Sequence, residues 1–183
     1  MPEQNLFSTG SKPSLEEVLQ NRENRAILEA KLATKYLLPV LAFKLNIPGP
    51  VKNNEVIHQI FQRGYDEIKN MLKKNQWNIL YEKSLSLPTG PEYICVVDAK
   101  NAIKLKEEAI QLEETEFGRI YDIDILIKNK EDIFSIDRAQ LGYLERKCLI
   151  CDNNAKVCGR SRVHSVKEMQ QKLTEIILRH KVI

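Results

Sequence analysis

Long apolar runs are missing from this 183-residue chain. None approaches the roughly 20 residues of a membrane-spanning helix, and the first residues lack the pattern of a signal peptide. The expectation is a cytoplasmic protein with no membrane partner. Cysteine is scarce: four residues, expected in a reducing compartment to be free thiols or metal ligands rather than disulfides. Charge imbalance is also slight. Lys and Arg number 28 against 25 Asp and Glu, a net +3, which excludes general nucleic-acid binding but leaves room for local basic patches. There is no internal repeat and no low-complexity tract. What remains is an ordinary globular composition, 43% hydrophobic and 29% charged, at a length suited to one domain with a real core.

Residues 1–13 carry Ser, Thr, Gly and Pro without periodicity and read as a flexible N-terminal segment; 14–183 reads as a single domain. Ser14 and Glu17 form a capping-box pattern opening a helix to about Tyr36. Its apolar stripe begins with Leu15, Val18 and Leu19 and is interrupted by Arg22 and Arg25, which either snorkel to solvent or point into a polar cleft. Leu37 to Ile47 reads as a strand ended by Pro48-Gly49-Pro50. Asn53 or Asn54 caps a helix to about Lys74 whose face is Ile57, Ile60, Phe61, Gly64, Ile68, Met71 and Leu72, with Gly64 allowing close approach to a sheet. Trp77–Leu87 and Glu92–Asp98 read as strands around a Pro88-Thr89-Gly90-Pro91 turn. A helix over Ala99–Glu114 precedes an acidic strand, with Asp132–Asp137 as its hairpin partner. A Cys/Arg-rich stretch, 148–164, leads to a final helix over 165–181 with Ser165 and Glu168 as its capping pair and Val166, Met169, Leu173, Ile176 and Ile177 as its buried face. The order predicts an α+β domain with helices covering a mainly antiparallel mixed sheet.

The acidic strand carries the most informative pattern. In Gly118-Arg119-Ile120-Tyr121-Asp122-Ile123-Asp124-Ile125-Leu126-Ile127, a period of two sets Asp122 and Asp124 side by side on one face and Tyr121, Ile123, Ile125 and Ile127 on the other. Alternating acids fit either a solvated strand face or a divalent-metal pair, since adjacent carboxylates in an apolar run call for a cation between them. The second reading suits metal-assisted phosphoryl or nucleotidyl transfer, with Mg²⁺ bridging carboxylates and triphosphate oxygens.

Three further stretches bear on that choice. Gly159-Arg160-Ser161-Arg162-Val163-His164 lies just ahead of the Ser165 cap, where a helix N-terminus, two guanidinium forks and an imidazole suit an anion. Pro48-Gly49-Pro50-Val51-Lys52 brings a lysine to a helix start. Cys148-x2-Cys151, Cys158 and His164 supply three thiols and an imidazole for a Zn²⁺ site, against the alternative of small, partly buried thiols. The two roles for His164, phosphate donor and zinc ligand, exclude each other. Cys95 falls inside an apolar strand and reads as core.

Taken together in chain order, several stretches resemble the apo-citrate lyase phosphoribosyl-dephospho-CoA transferases, the holo-acyl-carrier-protein synthases of the citrate lyase system. They are Arg22-Glu23-Asn24-Arg25; Pro48-Gly49-Pro50-Val51-Lys52 with Glu55-Val56 and Ile60-Phe61; Gly118 to Asp124; and Arg146-Lys147-Cys148-Leu149-Ile150-Cys151 with Cys158 to His164. The resemblance covers nearly the whole chain. It implies a nucleotidyltransferase-like enzyme whose donor is 2′-(5″-triphosphoribosyl)-3′-dephospho-CoA and whose acceptor is a serine of the citrate lyase acyl carrier subunit. By the same resemblance, Asp122 and Asp124 hold Mg²⁺, Arg119 acts beside them, and Arg160, Arg162 and His164 contact substrate, with Arg22, Arg25 and Lys52 as further phosphate contacts. The broad nucleotidyltransferase pattern adds an upstream Gly-Ser turn and a third carboxylate. Gly10-Ser11 falls in the N-terminal segment, and the carboxylate candidates are Asp137 and then Asp98. Two alternatives stay open: the equivalent transfer to a malonate decarboxylase carrier protein, and a non-catalytic zinc-containing binding module.

Overall fold

A computed structural model describes residues 5–130 and 132–182. Its elements are α1 (Leu15–Tyr36), β1 (Val40–Leu45), α2 (Glu55–Lys74), β2 (Ile79–Leu87), β3 (Gly90–Val97), α3 (Ala102–Glu114), β4 (Tyr121–Asn129), β5 (Asp132–Ser135), α4 (Ala155–Arg160) and α5 (Val166–Arg179). The strands form one sheet in the order β2-β3-β1-β4-β5, with every described pairing antiparallel. The α+β class is as expected, with no parallel pair among the described strands.

The strand period of two divides the sheet into unlike faces. One carries Leu41 and Phe43 of β1, Tyr93, Cys95 and Val97 of β3, and Tyr121, Ile123 and Ile125 of β4, and it packs against α2, α3 and α5 to form the main core. The buried face of α2 is the apolar set its sequence spells out, Gly64 included. A Cβ on Gly64 would lie 2.5 Å from Phe43 Cζ and 2.8 Å from Tyr121 Cε1, so the helix seats against two aromatic rings only because the side chain is absent.

The opposite face is apolar at one end and polar at the other. Val40, Ala42, Ile94 and Val96 meet Leu32 and Ala33 in the second half of α1. Beyond them the cross-strand register aligns Glu92, Lys44 and Asp122 in one row. The first half of α1 overhangs this polar end. Its inward residues are accordingly Asn21, Arg25 and Glu29, and Leu15 and Leu19, expected to open a buried stripe, are 74% and 53% exposed. Both capping boxes, Ser14 with Glu17 and Ser165 with Glu168, are present. On α5, Leu173, Ile176 and Ile177 are buried as expected, whereas Val166 is exposed.

Residues 1–4 of the anticipated flexible segment lie outside the described residues. Residues 5–13 are docked: Phe7 is buried, Asn54 Nδ2 donates to the carbonyls of Leu6 and Thr9, and Ser11 pairs with Asn53. Asn54 thus caps α2 through its oxygen and ties down the N-terminal segment through its nitrogen. The six-residue α4 was not anticipated; it is too short to show apolar periodicity and rests on Asn154, which accepts from the amides of Lys156 and Val157.

The free edge of β4 explains why charged residues are buried nearby. β5 pairs only with Leu126–Asn129, leaving the start of β4 without a partner strand on its outer edge. Side chains take its place: Glu113 accepts from Ile123 N at 2.8 Å, Lys106 Nζ donates to Ile123 O at 2.8 Å, and Arg146 Nη2 donates to Tyr121 O at 2.7 Å. Buried backbone groups need such partners, and Glu113 and Lys106, both nearly inaccessible, supply them. Gly64→Ala tests the helix–sheet seat. Overpacking of this kind should lower stability by about 1–3 kcal/mol in denaturant unfolding, and an unchanged midpoint would contradict the close approach described.

Candidate active site

The polar end of the sheet gathers carboxylates and cations from four elements. β4 presents Asp122 and Asp124 side by side, with 36% and 45% of their side chains exposed, while Tyr121, Ile123 and Ile125 are buried on the reverse. Lys44 of β1 lies 2.5 Å from Asp122 Oδ2 and 3.7 Å from Asp124 Oδ2. Ser135 Oγ donates to Asp124 Oδ1 at 3.2 Å. On the other side of Lys44, the buried Glu92 carboxylate of β3 accepts from Arg25 Nη1 at 2.5 Å and Asn21 Nδ2 at 2.8 Å, both from α1. The buried Glu92 carboxylate is therefore paired and hydrogen-bonded, the condition under which burial is tolerable.

These neighbours set the protonation states. Partial burial works against ionised Asp122, but Lys44, then Arg146 and Lys106, outweigh it and hold the carboxyl below its ordinary pKa. Glu29 goes the other way: desolvation, reinforced by the negative charges of Asp124 and Glu92, overcomes Arg25 and Lys44 and raises it to about 7. Burial depresses Lys52, whose Nζ donates to Ile47 O at 2.6 Å.

Three adjoining hollows follow this row. A small one of about 180 Å³ is walled by Arg22, Arg25, Lys44, Lys52 and Glu92. Arg22, Arg25 and Lys52, singled out separately in the sequence, thus converge, and the two arginines face a polar cleft. The second, about 480 Å³, holds Asp122, Asp124, Asp137 and Arg146; the third, about 720 Å³, shares Asn46 and Arg146 with it and continues to Arg162, Met169 and Leu173. Asp137 lines the same hollow as the pair, and one of its oxygens accepts from Ala139 N. Asp98 does not line it. It follows β3, whose Glu92 shares the row of Lys44, so six residues of strand, roughly 20 Å, separate it from that row.

The basic stretch before α5 is arranged differently from its sequence reading. Glu168 already accepts from Ser165 N, so the helix start is occupied by the chain's own carboxylate. Arg160 is exposed at the end of α4 and lines none of the three hollows, whereas Arg162 lines the largest. Arg119 donates to the carbonyls of Lys147 (2.5 Å) and Cys148 (2.9 Å), which commits its guanidinium to holding that loop. His164 Nε2 sits 3.3 Å from Cys151 Sγ, turned toward the cysteines. Cys148, Cys151, Cys158 and His164 bring their ligand atoms within 4.8 Å of one another, a cluster able to hold a metal ion. Cys95 is core, with burial raising its thiol pKa to about 12. Sequence reasoning missed Lys44, Glu92, Glu29 and Arg146. Lys44 and Asn46 follow Ala42 at alternate positions, a signal that one face of this strand turns polar.

Comparison with known proteins agrees in extent and kind. The family described as Apo-citrate lyase phosphoribosyl-dephospho-CoA transferase matches residues 13–180. The chain is 34% identical over 173 residues, 93% of itself and 88% of the relative, to a Streptococcus pyogenes serotype M3 protein named "Probable apo-citrate lyase phosphoribosyl-dephospho-CoA transferase". It is 31% identical over 170 residues, 92% and 89% of the two chains, to the Citrobacter koseri "Apo-citrate lyase phosphoribosyl-dephospho-CoA transferase".

The Glu29 carboxyl gives a stability test. A raised folded pKa means that ionisation opposes folding: the penalty is absent below the ordinary value of 4.5 and complete above about 7. Glu29→Gln should therefore gain stability over the native chain progressively across that interval, by up to about 3 kcal/mol at its upper end. Unfolding curves of both proteins at several pH values check this; a difference independent of pH would contradict the burial described.

Proposed function

The chain belongs to the apo-citrate lyase phosphoribosyl-dephospho-CoA transferase family, and we propose on that footing that it attaches the phosphoribosyl-dephospho-CoA prosthetic group to apo-citrate lyase. The donor in this reading is 2′-(5″-triphosphoribosyl)-3′-dephospho-CoA and the acceptor is a serine of the acyl carrier subunit. The serine oxygen, losing its proton, attacks the phosphorus next to the ribose. A phosphodiester forms as the bond to pyrophosphate breaks, which makes the enzyme a nucleotidyltransferase in type.

The observation that carries the reading is the Asp122–Asp124 pair flanked by Lys44 at the junction of the hollows. The pair suits a hard divalent cation: both carboxylates are partly solvent-accessible, share one strand face and, among the described residues, engage Lys44 and Ser135 directly. Mg²⁺ held there would neutralise triphosphate charge and stabilise the leaving pyrophosphate. The protein's own cations do the rest of the electrostatic work. Lys44 offers its ammonium to the phosphate chain while keeping Asp122 ionised, and Arg22, Arg25 and Lys52 wall a small hollow suited to the outer phosphates. The largest hollow, with Arg146 and Arg162 beside Met169 and Leu173, matches the mixed polar and apolar character of a dephospho-CoA moiety. Arg119 is a positioning residue in this scheme. Asp137, which lines the same hollow as the pair, is the third-carboxylate candidate in this scheme.

The test is to incubate the protein with apo-carrier, Mg²⁺ and the triphosphoribosyl donor and weigh the carrier. The citrate lyase carrier should gain the mass of the prosthetic group, and Asp122→Asn or Asp124→Asn should slow this by roughly 10²-fold or more while leaving the fold intact. Gain only on a malonate decarboxylase carrier would reassign the acceptor. No gain on either carrier would leave the non-catalytic zinc-containing module as the better account, and a gain that the Asn variants leave unaffected would remove the aspartate pair from the reaction.

A further inference from the structure

We propose that Cys148, Cys151, Cys158 and His164 bind a structural Zn²⁺ ion that takes the place of a hydrophobic core for residues 142–165 and fixes the wall of the largest hollow. Four independent features point to it, none of which depends on the transferase reading.

The donor atoms have the right spacing. All four lie within 4.8 Å of one another, and a tetrahedral ion with zinc's usual bond lengths sets its ligands about 3.5–4 Å apart. The set is also chemically selective: three sulfurs and an imidazole are soft to borderline donors that favour zinc over a hard cation such as Mg²⁺. With four protein ligands no coordination position remains for substrate, which marks a structural site.

Local backbone geometry serves the sulfurs. Cys148 and Cys151 share one turn, in which the Ile150 amide points at Cys148 Sγ at 3.5 Å, and amide-to-sulfur bonds of this kind support metal thiolates. Cys158 N closes the turn to Asn154 O, and Val163 N returns to Cys158 O through Arg162, which adopts a left-handed φ of 48°. That reversal delivers His164 to the cluster instead of to solvent.

Finally, the segment has little else to hold it. Between Gly142 and Ser165 the only buried side chains are Cys148 and Cys158. A stretch of this length with no apolar core needs a staple, and metal binding supplies folding free energy directly. The staple reaches the polar row through two arginines. Arg119, two residues ahead of β4, grips the carbonyls of Lys147 and Cys148. Arg146, two residues before the first ligand, donates to Tyr121 O in β4 and lies 3.8 Å from Glu113. The metal thereby holds Arg146 and Arg162 at the largest hollow.

The full chain, purified without chelator, should contain about one Zn²⁺ by elemental analysis. Replacement by Co²⁺ should give strong thiolate-to-cobalt absorption with the visible bands of a tetrahedral ion. Cys151→Ser or His164→Ala should surrender zinc to a chromophoric chelator at least about tenfold more readily, while His164→Cys retains it. Should a variant not fold, the cobalt spectrum of the native sequence decides. Protein lacking zinc, together with no thiolate–cobalt absorption, would overturn the proposal, as would cobalt bound with no sulfur signature.

Discussion

The ion pair between Lys44 of β1 and Asp122 of β4, at 2.5 Å, is the interaction on which the polar end of this molecule depends. Two carboxylates on adjacent same-face positions of a half-buried strand repel each other and resist leaving water. Lys44 offsets both effects, and it does so because the antiparallel register sets it directly across from Asp122. The same register sets Glu92 across from Lys44 on the other side, where Arg25 and Asn21 bind it from above. Removing any one member leaves a buried or half-buried charge short of a partner. The row therefore acts as a unit, and α1 is held over it by polar bonds at one end and by Leu32 and Ala33 at the other.

A second constraint meets the first along β4. The start of this strand lacks a neighbour on its outer edge, and Lys106, Glu113 and Arg146 supply the missing hydrogen bonds. Arg146 then links the cysteine-bearing segment to the β4 backbone just before Asp122. A strand whose edge is completed by side chains keeps that edge open, and the open edge is where the two larger hollows meet. Structure that would otherwise close this edge is replaced by side chains that leave it open.

Much of this was legible in the sequence because it is written locally. The apolar face of α2, both capping boxes, the alternation that sets Asp122 beside Asp124, and the C-x2-C spacing each span only a few residues. What was not legible depends on register and on backbone groups. Lys44 and Glu92 become partners of the acidic strand only once three strands are aligned. Arg119 looks like a phosphate ligand until the carbonyls of Lys147 and Cys148 are folded against it. Leu15 and Leu19 are exposed because α1 takes its phase from Asn21, Arg25 and Glu29, polar residues that an apolar-stripe reading passes over. Asp98 failed as a third carboxylate for the plainest reason, strand length.

The central claim is that Asp122 and Asp124, with Lys44 beside them, form the site for the metal-bound phosphates. Calorimetric titration of the purified protein with Mg²⁺ and pyrophosphate together, repeated on Asp124→Asn, tests it without either substrate. The account predicts saturable binding to the native protein and roughly tenfold or greater weakening in the variant. Equal affinity for the two proteins would contradict it.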